Sequence, residues 1–142
     1  MTLASETVRG LLAAKITSLG YAIKEFRDED DAITESELPC VLVQQAGVID
    51  IQRLEGTVGG ASYHSAPYFL SFAATTRAAA AAMMAATVNA LADDYNLGGQ
   101  VQEIQPVSYG DEENDGKDFA AIMLEIRILF CTPPNDFGTL LT

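Results

Sequence analysis

The sequence contains few of the residue types that most often carry chemistry. Its 142 residues include one histidine, two cysteines and eight lysines and arginines, against 20 aspartates and glutamates. The two cysteines have neither the CxxC spacing nor the histidine spacing of a metal site. Both Cys40 and Cys131 fall inside predicted strands. We therefore expect two buried free thiols in a reducing compartment.

Long apolar runs and basic clusters are also missing. No run reaches the roughly 18 apolar residues that a membrane-spanning helix needs, and no membrane association is predicted. The first ten residues lack a basic region followed by an apolar core, so no secretion signal is predicted. The formal net charge is −12. Because affinity for DNA comes mainly from Lys and Arg neutralising phosphates, this charge argues against ordinary nucleic-acid binding.

The longest alternating run of the chain lies near its end, at residues 118–132. One face of this run carries five apolar side chains, which are Ile122, Leu124, Ile126, Ile128 and Phe130. Strict alternation of β-branched and aromatic residues predicts a strand with one face in a core. We expect this strand to be the main strand of the fold.

The other periodic segments predict two helices and five more strands. Residues 5–19 form an amphipathic helix that Ser5 can cap, and an alanine-rich helix runs from Thr75 or Thr76 to about residue 95. The remaining strands are predicted at 21–26, 40–44, 48–55, 68–74 and 101–109, the last being an edge or bulged strand because it contains Pro106. The order α-β-β-β-β-α-β-β predicts an α+β fold. We expect a single domain over residues 1–142, in two layers, with a mixed, mostly antiparallel β-sheet packed against two α-helices.

Acidic residues crowd into two segments, with six between 28 and 37 and five between 111 and 118. Such dense like charges resist packing and predict exposed loops. The second segment matches a calcium loop loosely, but Ile122 stands where a bidentate Glu is needed. We expect no cofactor, and the alternative left open is a weak Mg²⁺ or Ca²⁺ contact by these carboxylates. The candidate lumen or interface acids are Asp28, Glu29, Asp30, Asp31, Asp111, Glu112, Glu113 and Asp115.

The one histidine and the C-terminal tail are the remaining candidates. His64 lies in a Gly/Ser-rich stretch that predicts an exposed loop, and no Ser or Cys stands in a nucleophile motif beside it, so no enzyme is predicted. The tail at 135–142 follows two prolines and ends with apolar residues. Two alternatives stay open for it, a frayed end or an arm that docks on a neighbouring subunit. The docking candidates are Phe137, Leu140 and Leu141.

Four stretches together resemble tail terminator proteins of long-tailed phages and prophages, the minor tail protein U-like family. They are the opening helix, the acidic loop before LPCVLV, the alanine-rich helix ending in DDYNLGGQVQEI, and the final strand EIRILFCTPPNDF. The resemblance implies an α/β subunit that closes into a hexameric ring on the tail tube, stops its polymerisation and joins it to the head. It also implies a location in the cytoplasm of a bacterial host and in the virion tail.

The acidic composition fits this implied role, because a ring through which DNA slides should not grip phosphates. The expected partners are further copies of the chain, the tail tube and the head-tail connector proteins, and DNA would pass without specific binding. Three alternatives remain: another head-tail connector or tail tube subunit, an acidic DNA-mimic inhibitor, and a small enzyme on an α+β scaffold.

Overall fold

A computed structural model describes residues 2–24, 33–45, 47–54, 60–112 and 119–142, without the side chains of Glu35, Arg53 and Leu54. Its two helices are α1 (Ala4–Ser18) and α2 (Arg77–Asp93). A short 3₁₀ turn, Glu35–Glu37, precedes the second strand. The six strands are β1 (Ala22–Lys24), β2 (Cys40–Gln45), β3 (Asp50–Leu54), β4 (Ala61–Ala74), β5 (Glu103–Asp111) and β6 (Ala120–Thr132). The predicted order α-β-β-β-β-α-β-β is confirmed.

The six strands form one sheet in the order β1-β2-β4-β6-β5. β2 and β3 both pair with the same side of β4, with β2 along its C-terminal half and β3 along its N-terminal half. β1 is parallel to β2, and the other pairs are antiparallel. The predicted α+β fold, with a mixed and mostly antiparallel sheet and two helices, is confirmed.

The centre of the sheet is the β4–β6 pair, which runs from Ser62 opposite Thr132 to Ala74 opposite Ala120. Even-numbered residues of both strands point towards the helices, and all except Ala120, which is partly buried, are almost fully buried. The core residues of β4 and β6 on this face are Ala66, Tyr68, Leu70, Phe72, Ala74, Ile122, Leu124, Ile126, Ile128 and Phe130. The predicted core face of the last strand is therefore confirmed.

The sequence of α1 predicts an apolar stripe of Val8, Leu11, Leu12, Ile16 and Leu19. Val8, Leu12 and Ile16 are fully covered, and the other two are partly buried. Its cap differs from the prediction. The N-cap residue is Leu3, whose side chain accepts no capping hydrogen bond, because Ser5 is buried in the first turn. The carbonyl of Ser5 accepts a hydrogen bond of 2.7 Å from the Tyr68 hydroxyl, which fixes the start of the helix on β4.

Helix α2 begins at the predicted cap. Thr76 Oγ1 accepts a 3.1 Å hydrogen bond from the N–H of Ala79, so of the two candidate threonines it is Thr76 that satisfies a free donor of the first turn. The helix ends at Asp93, two residues before the predicted end. No helix in the described ranges is long and apolar enough to cross a membrane.

Two predictions about the strands have different outcomes. The Gly/Ser-rich stretch 56–65 is predicted to be a loop or hairpin tip. Residues 56–59 lie outside the described residues, and for 61–65 the prediction is wrong, because β4 begins at Ala61 and His64 is 4% exposed. The strand gains these residues by pairing with β3 on one side and with the end of β6 on the other. The prediction about Pro106 is confirmed, since β5 is the outer strand beside β6 and its register shifts between Pro106 and Ser108.

The two cysteines are free and buried, as the sequence predicts. Cys40 joins Ala73 and Ala121 in a small apolar cluster on the sheet face opposite the helices, covered in part by Phe119. Burial raises the pKa of both thiols. Each sulfur therefore stays protonated near neutral pH and packs as an apolar group.

Candidate functional site

Exposed large apolar side chains gather at two places on the face of the sheet that carries the helices. The first is a groove between helix α2 and strand β5, with a cavity volume of about 140 Å³. We call it the α2–β5 groove. Its eight lining residues are Val88, Leu91, Ala92, Tyr95, Ile104, Pro106, Leu124 and Ile126.

The α2–β5 groove exists because the helices do not cover the outermost strand. α2 packs on β4 and β6, while α1 packs on β1 and β2. Ile104 and Pro106 of β5 stand opposite Ile128 and Ile126, so they point to the helix side of the sheet but lie beyond α2. Three aromatic or β-branched side chains around this groove are more than half exposed, namely Tyr95, Val107 and Tyr109.

The solvent face of α2 extends this apolar region. Between Arg77 and Asp93 the helix contains no charged residue. Its exposed side chains over this length are alanines and one asparagine, Ala78, Ala79, Ala82, Ala85, Asn89 and Ala92. A surface helix normally presents charged residues to water, so this face is unusually free of them for a chain with a net charge of −12.

The second place lies at the other side of the sheet, where the start of α1 meets β3. It is a shallow hollow with a cavity volume of about 80 Å³, which we call the α1–β3 hollow. Its lining residues are Leu3, Ser5, Ile49, Ile51, His64, Phe130 and Phe137. Leu3 and Ile51 are about half exposed, and Phe137 is 39% exposed.

His64 forms the floor of the α1–β3 hollow. Its ring stacks on Phe130 with a centroid distance of 4.9 Å, and Phe137 meets it edge-on at the same distance. The Thr132 hydroxyl donates to the Pro133 carbonyl, so it accepts from His64 Nε2 at 2.9 Å. Burial lowers the pKa of His64. The imidazole is therefore a neutral, packed donor with its proton on Nε2.

The C-terminal tail closes one wall of the same hollow. The N–H of Ala4, one of the free donors of the first turn of α1, donates to the Phe137 carbonyl at 2.7 Å. The N–H of Leu141 donates to the Cys131 carbonyl at 2.9 Å, and Leu140 packs against the core. Asp136 accepts from the N–H of Gly138 and from Thr139, which lowers the pKa of its carboxyl.

The tail therefore packs on its own subunit and is not a frayed end. Phe137 and Leu141 nevertheless keep 39% and 38% of their surface exposed, whereas Leu140 is partly buried. Docking of Phe137, Leu140 and Leu141 on a neighbouring subunit stays a prediction.

Most of the predicted acidic site lies outside the described residues. Asp28, Glu29, Asp30, Asp31, Glu113 and Asp115 fall there. Asp111 ends β5 and binds Arg77 Nε through an exposed 2.8 Å ion pair, and Glu112 accepts a hydrogen bond from the Ser71 hydroxyl. In the part of the chain that the structure describes, no three His, Cys, Asp or Glu side chains are grouped to hold a metal ion. The lumen or interface role of these acids and the weak Mg²⁺ or Ca²⁺ contact remain predictions.

The α2–β5 groove and the α1–β3 hollow lie at opposite sides of one sheet face. At this level the strands run β3-β4-β6-β5, so the two surfaces flank the two outer strands, roughly 14 Å apart. The sequence reasoning missed the groove. Two signals pointed to it, namely an edge strand with apolar residues at 104, 107 and 109 and a helix whose middle carries no charge.

No protein-family model and no curated protein matches the chain. The chain is similar to a chain of a solved structure described as "Virion of native gene transfer agent (GTA) particle". The identity is 18%, the TM-score is 0.43, and the match covers 85% of this chain and 84% of the other. A likeness at this TM-score carries no argument, and the fold and the two apolar surfaces rest on the residues described above.

Proposed function

We propose that this chain is a structural subunit of a phage-like virion, a tail terminator that closes into a homohexameric ring on the tail tube and joins the tube to the head. Two unlike apolar surfaces at opposite sides of the sheet, the α2–β5 groove and the α1–β3 hollow, carry this proposal. A surface that does not match itself associates head to tail, and such contacts either close into a ring or grow into a filament. The four sequence stretches that resemble tail terminators favour the ring.

The distribution of charge supports self-association through these surfaces. Copies with a net charge of −12 repel one another, so a stable contact needs surfaces without acids. Neither the lining of the groove nor that of the hollow includes an Asp or a Glu. Acids such as Asp50, Asp93 and Glu103 adjoin the lining residues in the chain but are not part of either lining, and a ring could present the remaining acids to its lumen and let DNA pass without specific binding. A weak Mg²⁺ or Ca²⁺ contact between acidic segments of neighbouring subunits belongs to the same proposal.

A structural rather than enzymatic role agrees with the state of the one histidine. His64 is held between Phe130 and Phe137, donates to Thr132 and has a lowered pKa. These contacts give the imidazole a packing role. The proposal therefore includes no catalysis and no required cofactor, and it places the protein in the host cytoplasm before assembly and in the virion tail afterwards.

Solution mass tests the proposal directly. Light scattering after gel filtration, with and without Mg²⁺, should give a mass six times that of the 15.1 kDa subunit, and negative-stain images should show closed rings. A ring that needs Mg²⁺ would point to the acidic segments as part of the contact. Open tubes of growing length would favour a tail tube subunit instead. A chain that stays monomeric at every concentration, and also in the presence of tail tubes, would contradict the proposal.

A further inference from the structure

We infer that the α2–β5 groove of one copy receives the exposed apolar cluster Leu3, Ile51 and Phe137 of the next copy, and that this contact builds the ring. The inference rests on the proposed function and names the two surfaces that meet. The cluster is formed by three different parts of the chain, the residue before α1, strand β3 and the tail. All three side chains keep about two fifths to one half of their surface exposed.

Both surfaces are apolar, and the second carries three large exposed side chains. The groove is concave and apolar, with a volume of about 140 Å³ between Val88 and Leu91 on one wall and Ile104 and Pro106 on the other. Leu3, Ile51 and Phe137 line the α1–β3 hollow, whose floor is His64 and Phe130, and their exposed surface is available to a partner. Large apolar side chains that fill a partner's pocket are the usual energetic centre of a protein interface.

The lack of charge on both surfaces favours a second copy of this chain as the occupant. The centres of protein interfaces are depleted in charged residues, and an acidic protein can bind itself only where its own acids are absent. The eight groove residues and the three cluster residues are all uncharged. Contact between copies covers both surfaces of every subunit in a closed ring, whereas a foreign partner in the groove would leave the cluster exposed to water.

The sheet gives the direction of the contact. Groove and cluster lie on the same face, beside β5 on one side and β3 on the other. Neighbouring copies can therefore stand with β5 of one beside β3 of the next and the helices on a common face. Among the described residues β5 pairs on one side only, and Pro106 and the register shift after it interrupt its other edge, which hinders edge-to-edge strand pairing. Side-chain packing, rather than a continuous backbone ladder, therefore holds the contact.

Two single variants and their mixture test this contact. Ala92→Arg places a long cation at the groove wall on an exposed helix position, and Ile51→Arg places a cation of the same sign in the cluster on an exposed strand position. The matched controls are Ala14→Arg, on the exposed side of α1, and Gln52→Arg, the neighbour of Ile51 on the other sheet face. Thermal unfolding monitored by circular dichroism first establishes that all four variants fold.

Each interface variant alone should lose the ring and elute as a monomer, while both controls keep the wild-type mass. An equimolar mixture of Ala92→Arg and Ile51→Arg should give a dimer of twice the subunit mass and nothing larger, because the two remaining surfaces carry charges of the same sign. The intact cluster of the first variant can enter the intact groove of the second, and the two remaining surfaces are both blocked. Light scattering and native mass spectrometry measure this directly.

The other outcomes separate failure of the inference from failure of the proposed function. Rings formed by wild type and by both interface variants would overturn the inference and leave the ring intact. A mixture that stays monomeric, or dimers formed by Ala92→Arg alone, would show that the groove and the cluster do not meet each other. A wild-type chain that never associates, with or without tail tubes, would overturn the proposed function and the inference together.

Discussion

Strands β5 and β6 are neighbours in the sheet, yet they differ in almost every physical respect. β6 has 13 residues, pairs on both sides and alternates between buried and less buried positions. β5 has nine residues, eight of them exposed, and within the described residues it pairs only with β6. The comparison indicates that β6 contributes to the stability of the subunit, while β5 presents side chains to a partner.

The difference follows from the position of the helices. α2 packs on the inward face of β6 and does not extend over β5, so β6 buries much apolar area on folding, whereas in β5 only Ile104 packs partly against the core. Substitutions on the inward face of β6 should therefore change the free energy of unfolding, and substitutions on β5 should change association. The predictions below test this division, beginning with the largest expected effect.

The largest effect is expected for Ile128→Asp. Ile128 is fully buried at the middle of β6, opposite Ala66 of β4. A carboxylate there has no partner and costs several kcal/mol of unfolding free energy, which is comparable to the whole stability of a small domain. Circular dichroism and solubility should report an unfolded or aggregated chain. A soluble variant with a cooperative unfolding transition would contradict the assignment of this face to the core, and Leu129→Asp, on the less buried opposite face, serves as the control.

Deleting residues 135–142 should have the next largest effect. The deletion removes the Phe137 ring from His64, the acceptor of the Ala4 N–H and the packing of Leu140. Together these contacts should contribute about 2–4 kcal/mol to the free energy of unfolding, because each large side chain is only partly buried. Denaturant unfolding measures the loss, and light scattering should show that association is lost as well. Unchanged values in both measurements would contradict a structural role for the tail, and Phe137→Leu, which keeps apolar volume, should lie between the deletion and the wild type.

A smaller effect should appear in the pH dependence of stability. Burial lowers the pKa of His64 below its ordinary value of 6.5. Below that pH the unfolded chain therefore binds a proton at His64 more readily than the folded chain does. The contribution of His64 to stability is therefore complete above pH 6.5 and is lost progressively as the pH falls below it. The slope of the unfolding free energy against pH cannot exceed about 1.4 kcal/mol per pH unit, because a single proton is involved.

The variant His64→Gln isolates this effect, since the chain has no other histidine. The difference in unfolding free energy between wild type and His64→Gln should shrink as the pH is lowered from 8 towards 5. A difference that stays constant over this range would show that the imidazole is not desolvated in the folded state.

The sequence predicted the fold well because the periodic segments obey local rules. The alternation of 118–132 and the spacing of Val8, Leu12 and Ile16 each reflect one buried face, and a buried face is visible in the order of residues. His64 was placed wrongly because glycine and serine predict a loop from local preference. Pairing with β3 and β6, which joins residues far apart in the chain, determines the strand there.

The candidate assembly surfaces were less predictable than the fold. Leu3, Ile51 and Phe137 come together only because α1, β3 and the tail meet over His64. No residue spacing in the sequence predicts that these three segments are in contact. The same holds for the groove, whose walls come from α2 and β5 and whose floor comes from β6. The lack of charge in the middle of α2, by contrast, can be seen in the sequence alone, because it is a property of consecutive residues.

The smallest effect on stability, and the sharpest contrast with Ile128, is expected for Tyr109→Ser. Tyr109 stands opposite Leu124 on the helix side of the sheet and is 71% exposed, so the substitution should change the free energy of unfolding by no more than about 0.5 kcal/mol. It removes a large exposed ring beside the α2–β5 groove, where contact with the next copy should bury it. The fraction of oligomer that dissociates at a given dilution should therefore be clearly larger than for wild type. Tyr109→Phe, which keeps the ring, should behave as wild type. A strong loss of stability without any change in association would reverse the roles assigned to β5 and β6.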